Sequence, residues 1–266
     1  MKAGAKPTVL ITNDDGIDSP LLSVVVNALS ASCEIRVVAP AAEQSWIGKA
    51  ISRRATLKVE VTEVMGHPAW AVHGTPADCV NLALGNLFDA EQIDGVVSGI
   101  NIGYNASLAT VLSSGTVGAA LEAALMGKPA VALSKSLPKE WFEAIQMDRS
   151  EIPEALSCSL FTDGARIAGF LDAAMQEHRH HPERVVVHNY NFPPDSSEAT
   201  AVQRSFVALT RAAGLFQAVG GVANVFEFRY QLGENMDSRM KTDLNCLKEG
   251  HISYAPIDFT RLTRFE

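Results

Sequence analysis

The sequence has few cysteines, no long apolar run and no excess of basic residues, and each absence excludes a class of protein. Its four cysteines are Cys33, Cys79, Cys158 and Cys246. They form no Cys-x-x-Cys pair, which argues against a zinc ribbon or a redox dithiol and favours reduced thiols in a cytosolic protein. No apolar stretch reaches the length of a membrane span or a signal-peptide core. We therefore expect a cytoplasmic protein that does not bind membranes.

Positive charge is also scarce, because 22 Lys and Arg stand against 30 Asp and Glu, a net charge of −8. A protein without a uniformly basic surface is a poor partner for a nucleic-acid polymer. A small anionic ligand remains possible if a metal ion or backbone amides attract it. With 266 residues, 47% of them hydrophobic, the chain can bury a core, which excludes a disordered or fibrous protein.

Three common catalytic or nucleotide-binding motifs are missing. Gly48-Lys49 and Gly127-Lys128 lack the upstream glycine and following hydroxyl of a phosphate-binding P-loop. No Gly-x-Gly-x-x-Gly follows the first predicted strand, so a dinucleotide-dependent dehydrogenase is disfavoured. A Gly-x-Ser-x-Gly elbow is absent as well, which removes the commonest serine-hydrolase signature.

What the sequence does contain is a regular alternation of short apolar strands and amphipathic helices. Strands are predicted at residues 8–12, 34–39, 95–98, 130–134 and 185–189. Helices are predicted after Ser19 and Thr75, over 115–126, and over 163–178, with a loop and one short helix between 135 and 154. This pattern indicates an α/β fold with a parallel sheet buried on both faces.

Two segments depart from that alternation. Residues 56–72 alternate apolar and charged side chains, which predicts an antiparallel ribbon at one edge of a core spanning residues 1–194. Residues 195–266 become β-like, and we interpret them as an extension of hairpins and loops that pairs with another subunit. Its aromatic side chains are interpreted as core or interface residues, with stacking on a base as the alternative; they are Phe206, Phe216, Phe226 and Phe228.

Polar residues follow three of the predicted strands at the points where they end. The first junction is Asn13-Asp14-Asp15-Gly16, the second leads to Ser45, and the third ends at Asn101. Ligands of parallel sheets bind beyond the carboxyl ends of the strands. Two carboxylates, a hydroxyl and an amide oxygen form a hard donor set that suits Mg²⁺ or Mn²⁺. The alternative is that Asp14 and Asp15 only form a turn and cap a helix.

A second candidate feature opens the helix predicted over 115–126. Its residues are Ser113, Ser114, Gly115 and Thr116. A helix N-terminus with hydroxyls and a glycine offers free N–H groups to a phosphate, although ordinary N-capping by Ser114 or Thr116 is the alternative. Next to a bound cation, phosphate binding is the better interpretation. Such a site would hold an anion in an acidic protein.

The order of these motifs resembles that of the SurE family, the survival-protein-E nucleotidases. The motifs follow that family's order and spacing across almost the whole chain; they are residues 9–16, 38–40 with 44–45, 74–80, 97–101 and 114–120, with weaker matches at 189–193, 242–243, 250 and 255–256.

The resemblance implies a phosphatase that needs one divalent ion per subunit, Mg²⁺ or Mn²⁺, and hydrolyses nucleoside 5′- and 3′-monophosphates, with short polyphosphate as a further substrate. It implies a Rossmann-like three-layer sandwich whose C-terminal extension forms homodimers or tetramers. The implied metal ligands are Asp14, Asp15, Ser45 and Asn101, of which Asp14, Asp15 and Asn101 are also the catalytic candidates. The candidate phosphate- and substrate-binding residues are Asn13, Asn105, Ser113, Ser114, Gly115 and Thr116.

The chain departs from the family pattern in the loop after Asn105. Ser107 stands where a glycine is usual, and Ala109 lies near an expected acidic position. These changes favour an alternative function, a nucleotide-binding or regulatory module that has lost catalysis. An aspartyl-phosphate enzyme is a weaker alternative, because that chemistry commonly uses Asp-x-Asp, which the adjacent Asp14 and Asp15 fit poorly.

Overall fold

The computed structural model describes residues 5–147, 152–231, 233–236 and 241–263. Nine of its strands form one sheet; they are β1 (Thr8–Thr12), β2 (Glu34–Pro40), β3 (Val59–Val64), β4 (His67–Val72), β5 (Gly95–Ile102), β6 (Ala130–Lys135), β7 (Val186–Phe192), β8 (Val202–Arg204) and β13 (Ile252–Asp258). Their order across the sheet is β3-β4-β2-β1-β5-β6-β7-β13-β8. The six strands from β4 to β7 run parallel, as the sequence pattern predicts.

Helices cover both faces of this sheet. They are α1 (Pro20–Ser30), α2 (Pro76–Leu82), α3 (Leu108–Ser113), α4 (Gly115–Leu125), α5 (Lys139–Met147), α6 (Glu154–His180) and α7 (Asp243–Lys248). One buried apolar cluster packs α1 and α6 against the sheet, and a second packs α2 and α4 against the opposite face. The central strands β1, β5, β6 and β7 are buried on both sides for this reason, which explains their nearly continuous apolar runs.

Local sequence signals account for several helix starts. Thr75 caps α2 by accepting from the backbone N–H of Asp78, and the Asp78 carboxylate accepts from the N–H of Thr75 in return. Pro76 and Pro20 occupy first-turn positions, where a missing N–H costs nothing. Ser19, by contrast, makes no side-chain capping bond at the start of α1.

Helix α6 begins at Glu154, nine residues before the start predicted at 163. The sequence-based prediction was wrong there because Asp163 and Gly164 read as a helix entry. Leu156 and Leu160 lie one turn apart and are buried with Ile167 in the core, so tertiary packing extends the helix through Gly164.

The 56–72 segment forms the antiparallel hairpin β3–β4 at one edge of the sheet. From the C-terminal segment, β13 joins the main sheet antiparallel to β7, and β8 follows it. The remaining short strands form two antiparallel pairs; they are β9 (Thr210–Arg211) with β12 (Glu234–Asn235), and β10 (Phe216–Ala218) with β11 (Phe226–Phe228). We call residues 209–236 the ribbon. The four phenylalanines at 206, 216, 226 and 228 are exposed in this chain, so their interpretation as core residues is wrong.

Across the described ranges, no helix is both long and apolar enough to cross a bilayer.

Candidate functional site

The three polar junctions meet at the carboxyl edge of the sheet. The backbone N–H of Ile102, at the end of β5, donates to Asp15 Oδ2 over 2.9 Å. The N–H of Gln44, in the loop after β2, donates to the carbonyl of Asp14 over 2.7 Å. Strand β5 continues to Ile102 rather than ending at Ser98, so Asn101 is the penultimate residue of this strand. The parallel order β2-β1-β5 therefore brings all three junctions together.

Asp14 is a buried carboxylate, with 4% of its surface exposed. Thr116 Oγ1 donates to Asp14 Oδ1 over 2.6 Å. Burial raises the pKa of Asp14 to about 6, although hydrogen bonds from Thr116 act in the opposite direction, and the nearby Glu43 carboxylate raises it further. None of the groups that shift this pKa is basic. A bound cation would therefore stabilise the ionised form.

Helix α4 reaches Asp14 because its first residue is a glycine. A Cβ on Gly115 would stand 2.7 Å from Asp14 Cβ, 2.9 Å from Asp14 Oδ2 and 3.1 Å from Pro76 Cγ. The two separations from Asp14 are shorter than real Cβ contacts, so no other residue fits without a shift of Asp14. The carboxylate consequently lies at the positive end of an eleven-residue helix.

The hydroxyls at the start of α4 have different partners. Ser114 Oγ accepts from the N–H of Val117 over 3.0 Å, which is the N-cap contact considered as the alternative for this residue. Ser113 is half-buried, and its Oγ donates to the carbonyl of Ala109 over 3.0 Å. Thr116 is fully buried and links Asp14 to the Asn105 amide, whose Nδ2 donates to Thr116 Oγ1 over 3.3 Å.

Asn105 is held on every side by polar groups from neighbouring strands. Its backbone N–H donates to Asn191 Oδ1 over 2.7 Å, and its carbonyl accepts from Asn189 Nδ2 over 3.0 Å. Its side-chain Nδ2 also donates to Ser134 Oγ over 2.8 Å. Strands β6 and β7 therefore fix both the backbone and the side chain of this candidate substrate-binding residue.

The remaining candidates differ in what their side chains do. Asn13 is fully buried, and its amide donates to the carbonyl of Gly16 and accepts from the Gly16 N–H, which shapes the turn that carries both aspartates. Asn101 Nδ2 donates to the carbonyl of Gly103 over 2.8 Å. Ser45 is exposed, and its Oγ donates to Glu43 Oε1 over 2.6 Å.

Two acidic residues near the site have no role in the sequence-based assignment. The first is Glu43, whose carboxylate accepts a hydrogen bond from Ser45 Oγ and raises the pKa of Asp14. Asp243, the first residue of α7, accepts from the N–H groups of Ser107, Ala208 and Leu244 at 2.8–2.9 Å. Ser107 has a φ of 87°, a conformation that favours glycine, and this hydrogen bond stabilises it there. Thr242 before a short apolar segment signals a helix cap, but nothing local indicates contact with residue 107.

The donor set fits a hard divalent cation. Among the residues that the structure describes, no group of three or more His, Cys, Asp or Glu side chains could hold a metal ion. A cation site built on the Asp14 and Asp15 carboxylates would combine them with neutral oxygens. Carboxylate, amide and hydroxyl oxygens completed by water suit Mg²⁺ or Mn²⁺ better than zinc or copper.

Fold and site together define a class of protein: an α/β protein with a mainly parallel sheet, whose acidic and amide-rich site lies beyond the carboxyl ends of the central strands. The comparison with protein families matches residues 9–214 to the family described as "Survival protein SurE". Because the match covers more than half of its length, the chain belongs to the SurE family, as the sequence motifs predict.

Curated relatives carry the name "5′-nucleotidase SurE". The protein of Methanosarcina mazei is 31% identical over 277 residues, covering 98% of this chain and 95% of the relative. That of Rhodopirellula baltica is 35% identical over 265 residues, covering 96% and 94%. The Methanopyrus kandleri protein reaches 51% identity over 129 residues, which cover 48% of this chain and 49% of the relative.

A solved structure supports the fold. The crystal structure of the SurE protein from Aquifex aeolicus superposes with a TM-score of 0.70 and covers 95% of this chain and 93% of its own. Its sequence is 22% identical, so the likeness establishes the shared architecture and nothing finer.

Proposed function

We propose that the protein is a divalent-metal-dependent phosphomonoesterase that hydrolyses nucleoside 5′-monophosphates to nucleoside and phosphate. Activity on 3′-monophosphates and on short polyphosphate is part of the proposal. The observation that carries it is the buried Asp14 carboxylate, bonded through Thr116 to the N-terminal turn of α4 and to Asn105. The name carried by the curated relatives supports the choice of nucleotides as substrates.

In this proposal Asp14, Asp15, Ser45 and Asn101 hold one Mg²⁺ or Mn²⁺ ion. When bound, the ion supplies Lewis-acid polarisation of a phosphoryl oxygen. Asp14 and Asp15 provide the negative charge of the site, and the N–H of Ile102 fixes one oxygen of Asp15. Asp14, whose Oδ1 is oriented by Thr116, also serves as the base that accepts a proton from the attacking water. The water oxygen then bonds to phosphorus as the phosphorus–oxygen bond to the nucleoside breaks, and the nucleoside oxygen takes up a proton from solvent.

The phosphate is held by chain groups on the side of α4. The Asn105 amide and the N–H groups at the start of α4, around Ser114 and Gly115, donate to its oxygens. Donors that are already fixed before the reaction stabilise the charge that develops on those oxygens. Asn105 is fixed in this way by Ser134, Asn189 and Asn191.

The test is release of inorganic phosphate from 5′-AMP, 3′-AMP and tripolyphosphate, each with Mn²⁺ or Mg²⁺. We expect phosphate release from 5′-AMP that depends on the added ion, at a rate above that of the Asp14→Asn protein. Phosphate release that persists unchanged in EDTA would contradict the metal-dependent mechanism.

The second candidate function is a nucleotide-binding module without catalysis, favoured by Ser107 and Ala109. The hydrogen bond from the Ser107 N–H to Asp243 keeps the loop in the backbone conformation that a glycine would adopt, which favours the enzyme. Calorimetric binding of 5′-AMP with no phosphate release under any metal would support the binding module instead.

A further inference from the structure

A cavity of about 290 Å³ adjoins the candidate phosphate site. It lies between α3 and the ribbon, and it is lined by Trp46, Leu112, Ser113, Leu215 and Tyr230 among others. Two residues connect the cavity with the candidate site: Ser107, in the loop that carries Asn105, and Ser113, the last residue of α3 before the start of α4. Its volume is just below the roughly 300–1,000 Å³ typical of sites for drug-sized ligands, and one ring system is smaller than such a ligand.

The side chains that line this cavity favour a flat, uncharged part of a ligand over a charged one. Among the described residues that line the cavity, none is charged. Trp46 and Tyr230 supply aromatic surface, while Thr110 and Gln231 offer polar atoms at the margin. A second phosphate would find no cation here, whereas a base can stack on an aromatic ring and direct its polar edge to neutral donors and acceptors.

The position of Trp46 ties the cavity to the reaction site. Trp46 directly follows Ser45, a candidate metal ligand, and its loop is attached to α3 because the N–H of Gly48 donates to the carbonyl of Ser113 over 2.9 Å. The indole packs at 5.1 Å from the Phe228 ring and 5.7 Å from the Tyr230 ring, yet 42% of its surface is exposed. Tyr230 is fixed in turn by a 3.1 Å hydrogen bond to Tyr104.

We infer that this cavity binds the nucleobase of the substrate, with Trp46 as the stacking residue. The inference rests on the proposed nucleotidase function. It narrows that function, because a site with an uncharged neighbouring cavity selects mononucleotides over polyphosphate chains. It also gives a specificity role to a residue of the ribbon, Tyr230.

The first experiment compares two substrates that differ only in the base, 5′-AMP and ribose 5-phosphate, in Trp46→Gly protein. Trp46 has a φ of 62°, so glycine removes the ring without straining the backbone. We expect KM for 5′-AMP to rise about tenfold with little change in kcat, and the kinetics of ribose 5-phosphate to stay unchanged, since base–aromatic stacking contributes about 1–3 kcal/mol. Trp46→Phe should retain most of the affinity.

The matched control is Met65→Gly, which makes the same kind of change at another exposed residue of positive φ, in the turn between β3 and β4. It should leave both substrates unaffected. An equal change for the two substrates in Trp46→Gly would show a structural role for the ring and overturn the inference, as would an unchanged KM for 5′-AMP.

A binding readout separates this inference from the proposed function. Adenosine, which carries no phosphate, should quench the tryptophan fluorescence of the metal-free wild-type protein saturably. The Trp46→Phe variant keeps Trp70 and Trp141 and should lack that saturable component. Saturable quenching without any phosphate release would retain the base site and reject the enzyme. Phosphate release from 5′-AMP with no saturable quenching would reject the base site and retain the enzyme.

Discussion

Among the single residues of the candidate site, Asp14 differs from an ordinary turn-forming aspartate in its burial and in its hydrogen bonds. It is buried, it accepts from Thr116 Oγ1, and its neighbour Asp15 is fixed by the N–H of Ile102. A carboxylate in a simple surface turn would be solvated and would keep an ordinary pKa. Burial instead raises the pKa of Asp14 to about 6, and a buried carboxylate with a shifted pKa at the end of a strand is a candidate for a functional role.

The contact between Thr116 and Asp14 gives the first prediction. Thr116→Val keeps the shape of the side chain but leaves Asp14 Oδ1 and Asn105 Nδ2 without the hydroxyl. A hydrogen bond to a charged group contributes about 1.5–3 kcal/mol, so kcat/KM for 5′-AMP should fall roughly tenfold to a hundredfold. Thr116→Ser restores the hydroxyl and should restore most of the activity. A Thr116→Val protein with wild-type kinetics would refute this role for the hydroxyl.

At the scale of secondary-structure elements, the site depends on how closely α4 approaches the end of β1. Gly115 permits that approach to Asp14, and Gly118 permits a second one, since a Cβ on Gly118 would lie 2.5 Å from the carbonyl oxygen of Gly48. The small residues of α4 thus serve the packing of two loops that carry candidate ligands. Helix α7 also supports the site, because its first residue, Asp243, accepts a hydrogen bond from the N–H of Ser107 in the loop that carries Asn105.

The second prediction follows from the approach of α4. Gly115→Ala should shift Asp14, lowering the free energy of unfolding by about 1–3 kcal/mol and kcat for 5′-AMP by about a hundredfold. Gly169→Ala is the matched control, because Gly169 is helical, exposed and open around its Cα, so alanine should stabilise α6 by up to about 1 kcal/mol. Thermal denaturation and phosphate release measure both effects. Equal behaviour of the two variants would contradict the packing argument.

The elements show which parts of the site a sequence can predict. The strand pattern predicts that Asp14, Asp15 and Asn101 lie at one edge of the sheet, because the carboxyl ends of parallel strands share that edge, whereas their roles as ligands stay a prediction. The support of Asn105 by Asn189 and Asn191 depends on the register between distant strands, which no local pattern encodes. The positive φ of Trp46 is likewise invisible in the sequence, since tryptophan does not signal it.

At the scale of the whole molecule, the C-terminal segment is both part of the sheet and part of the site's surroundings. Strand β13 pairs with β7, and the ribbon closes one side of the cavity at Tyr230. The division into a core of residues 1–194 and an extension of residues 195–266 stays a prediction, as do the cytoplasmic location and the oligomeric state.

The third prediction concerns that oligomeric state. The ribbon exposes large aromatic side chains, including Phe216 at 69% and Phe226 at 62% of their surface, and exposed apolar groups on a short ribbon favour pairing with a second copy. Light scattering should give the mass of a dimer or tetramer for the wild type and a smaller mass for Phe216→Ser with Phe226→Ser. Phe161→Ser, which changes an exposed phenylalanine of α6, is the control. A monomeric wild type would exclude the predicted assembly.

The net charge of −8 for the whole molecule is compatible with an anionic substrate. Part of the negative charge, on Asp14 and Asp15, lies within the candidate site, where the proposed divalent cation would reverse its effect on an anionic substrate. An acidic protein can then bind a single phosphate without a basic surface. The metal-free protein should bind nucleotides poorly for the same reason.

Metal-dependent hydrolysis is tested by phosphate release from 5′-AMP in one protein sample before EDTA, after EDTA, and after Mn²⁺ is restored in excess, with Asp14→Asn protein treated in parallel. We expect the wild type to lose its activity in EDTA and to regain it with Mn²⁺, and the variant to stay at least a hundredfold less active throughout, because it lacks a ligand and base. Full activity in EDTA, or an Asp14→Asn protein as active as the wild type, would contradict this expectation.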